Sequence, residues 1–284
     1  MEWIERLNNA IRYIEENILE DISIEEIAKI AGCSTYHFQR IFSYMANIPL
    51  SEYIRRRKMS LAAVDLQNRE NRVVDISMKY GYNSPTAFNR AFKKVHNIAP
   101  SQIKNSGQQI KAFLPISFSI SIKGDIAMNY RIEEKESFRV IGVSKSLYNE
   151  IEKNFEIVPK MWEEEAKKGT IQKLALRMEG DPKGLLGVSA CNKVDEWKYF
   201  IAVSNNDAND NFFEKLIIPK STWAIFEGSG NAKDIQQLEQ RIVTEWLPTS
   251  GYEYSNAPDI EVYMSENIKD MRFEVWIPVK KRED

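Results

Sequence analysis

Trp3, Ile4, Leu7, Ala10, Ile11, Ile14 and Ile18 recur at steps of three and four, a spacing that predicts one apolar stripe on an α-helix. Glu20 and Asp21 break it. Ser23 with Glu26 then predicts a capping box opening a second helix, with Ile24, Ile27, Ala28 and Ala31 inward and Gly32 as its stop. Ser34 is placed to cap a third helix that turns Phe38, Ile41, Phe42 and Met45 inward; Pro49 interrupts, and LSEYIRRRKMSLAAVDLQN restarts as a longer helix. The scheme then recurs: Val73, Ile76 and Tyr80 lead to Gly81, Ser84 and Pro85 open a helix carrying Phe88, Ala91, Phe92 and Val95, and Pro100 closes it.

GCSTYHFQRIF, from residue 32, and GYNSPTAFNRAF, from residue 81, thus state one device twice. Superposing Ser34 on Ser84 carries Phe38 onto Phe88, Arg40 onto Arg90 and Phe42 onto Phe92. With the phenylalanines in a core, Tyr36, Gln39 and Arg40 fall at i, i+3 and i+4 on the opposite face, as do Thr86, Asn89 and Arg90.

Beyond residue 106 the helical period is lost. GQQIKAFLPISFSISIKG shows partial alternation, so residues 107–126 are expected as a strand or an ordered connector between a domain at 1–106 and another at 127–284. In the latter, MNYRIEEKESFRVIGVS reads as a strand, NFEIVPKMWEEEAKKG as a helix, and KGLLGVSACN and EWKYFIAVS as strands. KSTWAIFEGSG, KDIQQLEQRIVTEWLP, DIEVYMS and MRFEVWIPV repeat that order. The expected fold is an all-α domain with two helix-turn-helix units, then an α+β domain of two pseudo-symmetric strand-helix-strand-strand modules.

Charge separates the two parts. Residues 27–106 carry 13 Lys and Arg against 4 Asp and Glu, and residues 107–284 carry 24 against 29, so polyanions are attracted only to the first. Amide and guanidinium groups each read a base edge through two hydrogen bonds, with about 1–3 kcal/mol of discrimination per good pair. An ordinary solvent face would be equally polar; its duplication in a basic segment favours duplex DNA, since paired short helices enter successive major grooves about 34 Å apart. The run RRRK at 55–58 sweeps most of a helical turn, so part meets phosphate and part packs or pairs with acids; Arg57 is the phosphate candidate. Cys33 and Cys191 are too few for a disulfide framework or a zinc pattern, and His37 and His96 stand apart from any ligating cluster. The absence of a secretion signal and of an apolar run of about twenty residues makes a cytoplasmic location the expectation.

Residues 8–106 resemble the DNA-binding domain of the AraC/XylS family of transcription regulators, on IEEIAKIAGCSTYHFQRIFSYMANIPLSEYIRRRKMSLAA and ISMKYGYNSPTAFNRAFKKVHNIAPSQIK. The resemblance implies base or phosphate contacts by Tyr36, Gln39 and Arg40 from one recognition helix and by Thr86, Asn89 and Arg90 from the other. Residues from about 127 onward resemble the GyrI-like (SbmC-like) small-molecule-binding domain, on FRVIGVS, VPKMWEE, GLLGVS, TWAIFEGSG and DIEVYMSENIKDMRFEVWIPV, and the combination resembles Rob-like regulators.

Alternation in MRFEVWIPV places Glu274 and Trp276 on one face, and STWAIFEGSG places Trp223, Ile225 and Glu227 on one face. Aromatic walls with a carboxylate favour a lipophilic cation, or an uncharged aromatic compound. GyrI-like resemblance implies a ligand-contacting glutamate on the final strand, here Glu274, and Trp223 and Trp276 are the expected walls. No catalytic triad, metal cluster or phosphate-binding glycine loop is recognisable, and no cofactor is expected. The expected function is a sequence-specific regulator binding double-stranded DNA and a small-molecule effector, with RNA polymerase as a further partner; a GyrI-like hydrolase or scavenger fused to a DNA-binding domain is the alternative.

Overall fold

A computed structural model describes residues 2–68, 70–103, 109–119, 127–148, 151–191, 197–207, 212–264 and 271–282. The chain divides into two compact units, Met1–Ser119 and Ile120–Asp284.

The first unit is helical: α1 (Glu2–Glu16), α2 (Ile24–Ala31), α3 (Thr35–Ala46), α4 (Leu50–Gln67), α5 (Val73–Lys79) and α6 (Pro85–His96). The stripe of α1 is buried at Trp3, Leu7, Ala10, Ile11 and Ile14, and each large apolar side chain so removed from water contributes about 1.5–3 kcal/mol. Ser23 caps α2 by accepting the Glu26 N–H, while its hydroxyl donates to Glu25. Gly32 and Gly81 both adopt left-handed φ, +74° and +80°, and the next residue returns its N–H to the preceding helix, Cys33 to Ala28 O and Tyr82 to Ser77 O. Only glycine takes that backbone cheaply, which is why both copies carry it. Ser34 caps α3 through the His37 N–H, whereas Ser84 stands at the cap of α6 with no side-chain bond. Phe38, Phe42, Phe88 and Phe92 are all fully buried, so the two copies turn the same face inward.

Residues 109–119, expected in a connector, lie within this unit. Phe113 packs on the core of α4 and α6, and the Phe118 ring meets Phe42 at 5.9 Å. The remainder of the expected connector at 107–108 and 120–126 is outside the described residues.

In the second unit nine strands form one antiparallel sheet among the described residues: β1 (Tyr130–Lys135), β2 (Phe138–Ser146), β3 (Leu185–Cys191), β4 (Trp197–Ser204), β5 (Glu214–Ile218), β6 (Ser221–Gly230), β7 (Tyr252–Tyr254), β8 (Asp259–Tyr263) and β9 (Met271–Lys281). Their order is β1-β6-β9-β8-β3-β4-β2-β5, with β7 beside β9. Helices α7 (Ile151–Lys167) and α8 (Thr170–Ala175) lie between β2 and β3, and α9 (Ala232–Arg241) lies between β6 and β7. The expected modules are β2-α7-β3-β4 and β6-α9-β8-β9, meeting where β3 pairs β8. MNYRIEEKESFRVIGVS, expected as one strand, is two: β1 pairs β6 and β2 pairs β4 and β5. Each module's outer strand is therefore supplied by the segment that precedes the other module.

One sheet face buries Val140, Leu186, Phe200, Trp223, Ile260 and Trp276; the other packs Ile141, Tyr199, Ile201 and Val203 against Met161 of α7 and Leu174 of α8. Among the described residues no helix is long and apolar enough to cross a membrane.

Candidate DNA interface and effector site

Helix α6 exposes Thr86 and Arg90, with Asn89 half-buried beside them, on the face expected from the spacing. Lys93 and Lys94, which follow Arg90 by three and four residues, extend it as an exposed basic ridge. The sequence reading missed them, although the same i, i+3, i+4 count reaches them. On α3, Tyr36 and Gln39 are half-buried. Arg40 is 5% exposed, its guanidinium 5.9 Å from the Tyr36 ring centre and 5.7 Å from that of Tyr44. The two copies thus differ: α6 carries its arginine in solvent, and α3 holds Arg40 among aromatic rings.

The phosphate role expected of Arg57 is corrected by its surroundings. Arg57 is buried, donates through Nε and Nη2 to Glu15 of α1 at 2.6–3.0 Å, and donates through Nη1 to the Phe113 carbonyl. Tyr53 adds a hydrogen bond to the same carboxylate at 2.7 Å. Burial alone would raise the Glu15 pKa, but the bonds from Arg57 and Tyr53 outweigh it and hold the carboxyl below its ordinary range. Arg55 and Arg56 both pair with Glu52, and burial lowers the Lys58 pKa. The run RRRK is therefore largely spent inside the unit.

In the second unit Glu274 is buried and already neutralised. Arg131 Nη2 donates to it at 2.7 Å and Trp276 Nε1 at 2.7 Å, while Arg131 also contacts Glu133 and Glu227. A cavity of about 510 Å³ opens here, lined by Glu274 and Trp276 together with Arg131, Lys135, Asp181 and Lys183. The Lys135 ammonium lies 5.5 Å from the Trp276 ring centre. Glu274 and Trp276 both line this cavity, where the Arg131 guanidinium meets the carboxylate and the Lys135 ammonium lies over the ring. Trp223 does not line it: the side chain is fully buried in the core, 5.8 Å from Trp276, and supports that wall from behind.

On the opposite, helix-covered face a second acidic group sits at the seam of the two modules. Glu261 pairs with Gly187 across β3 and β8, and its Oε2 accepts the hydroxyls of Tyr199 (2.9 Å) and Tyr263 (2.6 Å). Trp162 of α7 donates Nε1–H to Tyr199 Oη at 3.0 Å and meets the Tyr263 ring edge-on at 5.0 Å. Gly187 leaves the necessary room, since a Cβ there would lie 2.1 Å from Tyr199 Oη and 2.6 Å from Glu261 Oε2. Burial, then the Glu261 charge, pushes the pKa of both tyrosines well above the ordinary phenol value, so both hydroxyls remain protonated donors. The sequence reading passed over Glu261, Tyr199 and Tyr263. The signal was present in DIEVY, where Asp259, Glu261 and Tyr263 share one face.

Among the described residues no three His, Cys, Asp or Glu side chains are grouped to hold a metal ion.

Comparison with known proteins agrees with this division. The profile of the Cass2 family, integron-associated effector binding proteins, matches residues 131–279, and that of a helix-turn-helix domain family matches residues 27–106. The HTH-type transcriptional activator AarP of Providencia stuartii is 37% identical over 95 residues, spanning 34% of this chain and 70% of that protein. The regulatory protein SoxS of Escherichia coli (strain K12) is 34% identical over 99 residues, spanning 35% and 92%. Among solved structures, SAV2435 bound to tetraphenylphosphonium is 24% identical with a TM-score of 0.49, spanning 54% of this chain and 94% of that one.

Proposed function

Since the chain belongs to the Cass2 family of integron-associated effector binding proteins over its second unit and carries an AraC-type helix-turn-helix domain ahead of it, we propose that its transcription regulation is modulated by a lipophilic cation bound around Glu261. The protein is a DNA-binding transcription regulator with an effector-binding domain. The observation that carries the effector reading is the convergence of the Tyr199 and Tyr263 hydroxyls on one carboxylate oxygen within a wall of aromatic rings. Ring faces and a carboxylate attract an organic cation, and neutral hydroxyl donors orient Glu261 without adding positive charge of their own. Glu274 suits that role less, because Arg131 already supplies its counter-charge.

DNA is read, in this proposal, by Thr86, Asn89 and Arg90 of α6 and by Tyr36 and Gln39 of α3, with Lys93 and Lys94 on phosphate. Arg40 serves α3 by packing against Tyr36 and Tyr44. The regulator acts in the cytoplasm, where the bacterial chromosome and RNA polymerase are found, and its effector domain is a binder rather than a hydrolase.

Selection of binding sites from random duplex DNA by the full chain, repeated with and without tetraphenylphosphonium, tests this reading. A defined site whose affinity or promoter output shifts with the cation supports it. Turnover of electrophilic esters by the chain, with DNA binding and transcription indifferent to added compounds, would establish the hydrolase alternative instead.

A further inference from the structure

Residues 109–119 have no strand partner, yet their backbone is bonded at six points to side chains of three helices. Lys111 N–H donates to His96 Nδ1 of α6 (3.2 Å), Phe113 N–H to Ser60 Oγ of α4 (2.9 Å), and Ile116 N–H to Tyr53 Oη of α4 (3.3 Å). Arg57 of α4 donates to the Phe113 carbonyl. Asn8 of α1 closes a reciprocal pair with Phe118, accepting its N–H at 2.8 Å and donating to its carbonyl at 3.0 Å. A segment without a strand or helix ladder leaves its backbone groups to other partners, and here each of these, from exposed Lys111 to buried Phe118, is met by a side chain. The anchors run from the end of the second recognition helix, through α4, to the first helix of the unit, and none is a residue of the DNA-facing surface.

We infer that this segment is a cross-brace of the DNA-binding unit. His96 ends α6 and Tyr53, Arg57 and Ser60 lie along the helix that joins the two copies, so a docked brace fixes the spacing of both recognition helices. Undocking of the brace loosens that spacing and with it the preference for one site.

The test uses the full chain on the DNA site that it selects. The double variant Asn8→Ala, Ser60→Ala removes three of the six bonds while sparing the DNA-facing residues. It is expected to raise amide exchange at residues 111–118, to lower affinity for the selected site about tenfold, the scale of a typical allosteric coupling, and to leave random DNA unchanged. The single variant Asn8→Ala, with two bonds lost, is expected to do the same to a smaller degree and serves if the double variant does not fold. Raised exchange with unchanged site preference overturns the brace; unchanged exchange equally overturns it, since the bonds would then not hold the segment.

Discussion

Arg57 and Glu15 lie 42 residues apart in sequence and form a pair in which Nε and Nη2 both reach the carboxylate, at 2.9 and 2.6 Å, with side chains only 8% and 18% exposed. The pair locks α4 to α1. The hydrogen bond to Glu15 is the foremost cause that raises the Arg57 pKa, so the guanidinium is charged throughout and the carboxylate beside it is held ionised.

Arg57→Ala is expected to act on stability. Removing one partner of a largely buried pair costs about 3–5 kcal/mol because the other charge is left stranded. Urea unfolding of the full chain should show that loss at neutral pH. A variant with the parent's urea midpoint and uniformly weaker DNA binding would return Arg57 to phosphate.

Arg90→Ala should reduce discrimination between the selected site and its point variants by about 1–3 kcal/mol, whereas Lys93→Ala should weaken all duplexes alike and reduce the salt slope of binding by about one. Fluorescence anisotropy across a salt series separates the two. Equal losses on all sequences for both variants would assign Arg90 to the backbone as well.

Two conservative substitutions distinguish the two acids of the effector domain. Glu261→Gln keeps the shape and removes the charge at the seam, so the affinity for tetraphenylphosphonium should fall about tenfold or more, roughly 1.4 kcal/mol. Glu274→Gln should leave that affinity within about twofold, because Arg131 already balances the carboxylate. Calorimetric titration of both variants decides, and the reverse ranking would restore the final strand as the ligand contact.

His96 makes the first unit sensitive to acid. Its ring is buried, Nδ1 accepts the Lys111 N–H and Nε2–H donates to the Met59 carbonyl, so the folded unit holds the neutral form. Burial, foremost, lowers its pKa from the ordinary 6.5. The unfolded chain therefore takes up a proton at a higher pH than the folded one, and the stability conferred is complete above 6.5 and declines as pH falls through the window below it. Urea midpoints taken between about pH 7.5 and 5 should fall, and His96→Gln should flatten that dependence. A parent midpoint that rises on acidification would contradict the assignment.

Much of the first unit is legible because its signals are local. Gly32 and Gly81, Ser34 and the paired phenylalanines each act within one turn of helix, so spacing alone identifies the device and its outward face. The fates of Arg57 and Glu274 are not local. Their partners Glu15 and Arg131 are 42 and 143 residues away, and no periodicity within a helix or strand reports a counter-ion on another element. Glu261 was hidden for a different reason: both DIEVY and MRFEVWIPV place an acid beside an aromatic residue by alternation. Only the register of β8 on β3 reveals which acid reaches the seam beneath α7.

The exchange of β1 and β5 between the modules makes the effector domain a clasp in which neither half owns both of its borders. Cutting the chain between β4 and β5 would strip an edge from each half, β5 from the first and β1 from the second, so the two cannot be expected to fold as separable copies despite their likeness. The first strand of the domain in sequence, β1, is bonded to β6, so by pairing it belongs to the C-terminal module and not to the one that follows it along the chain.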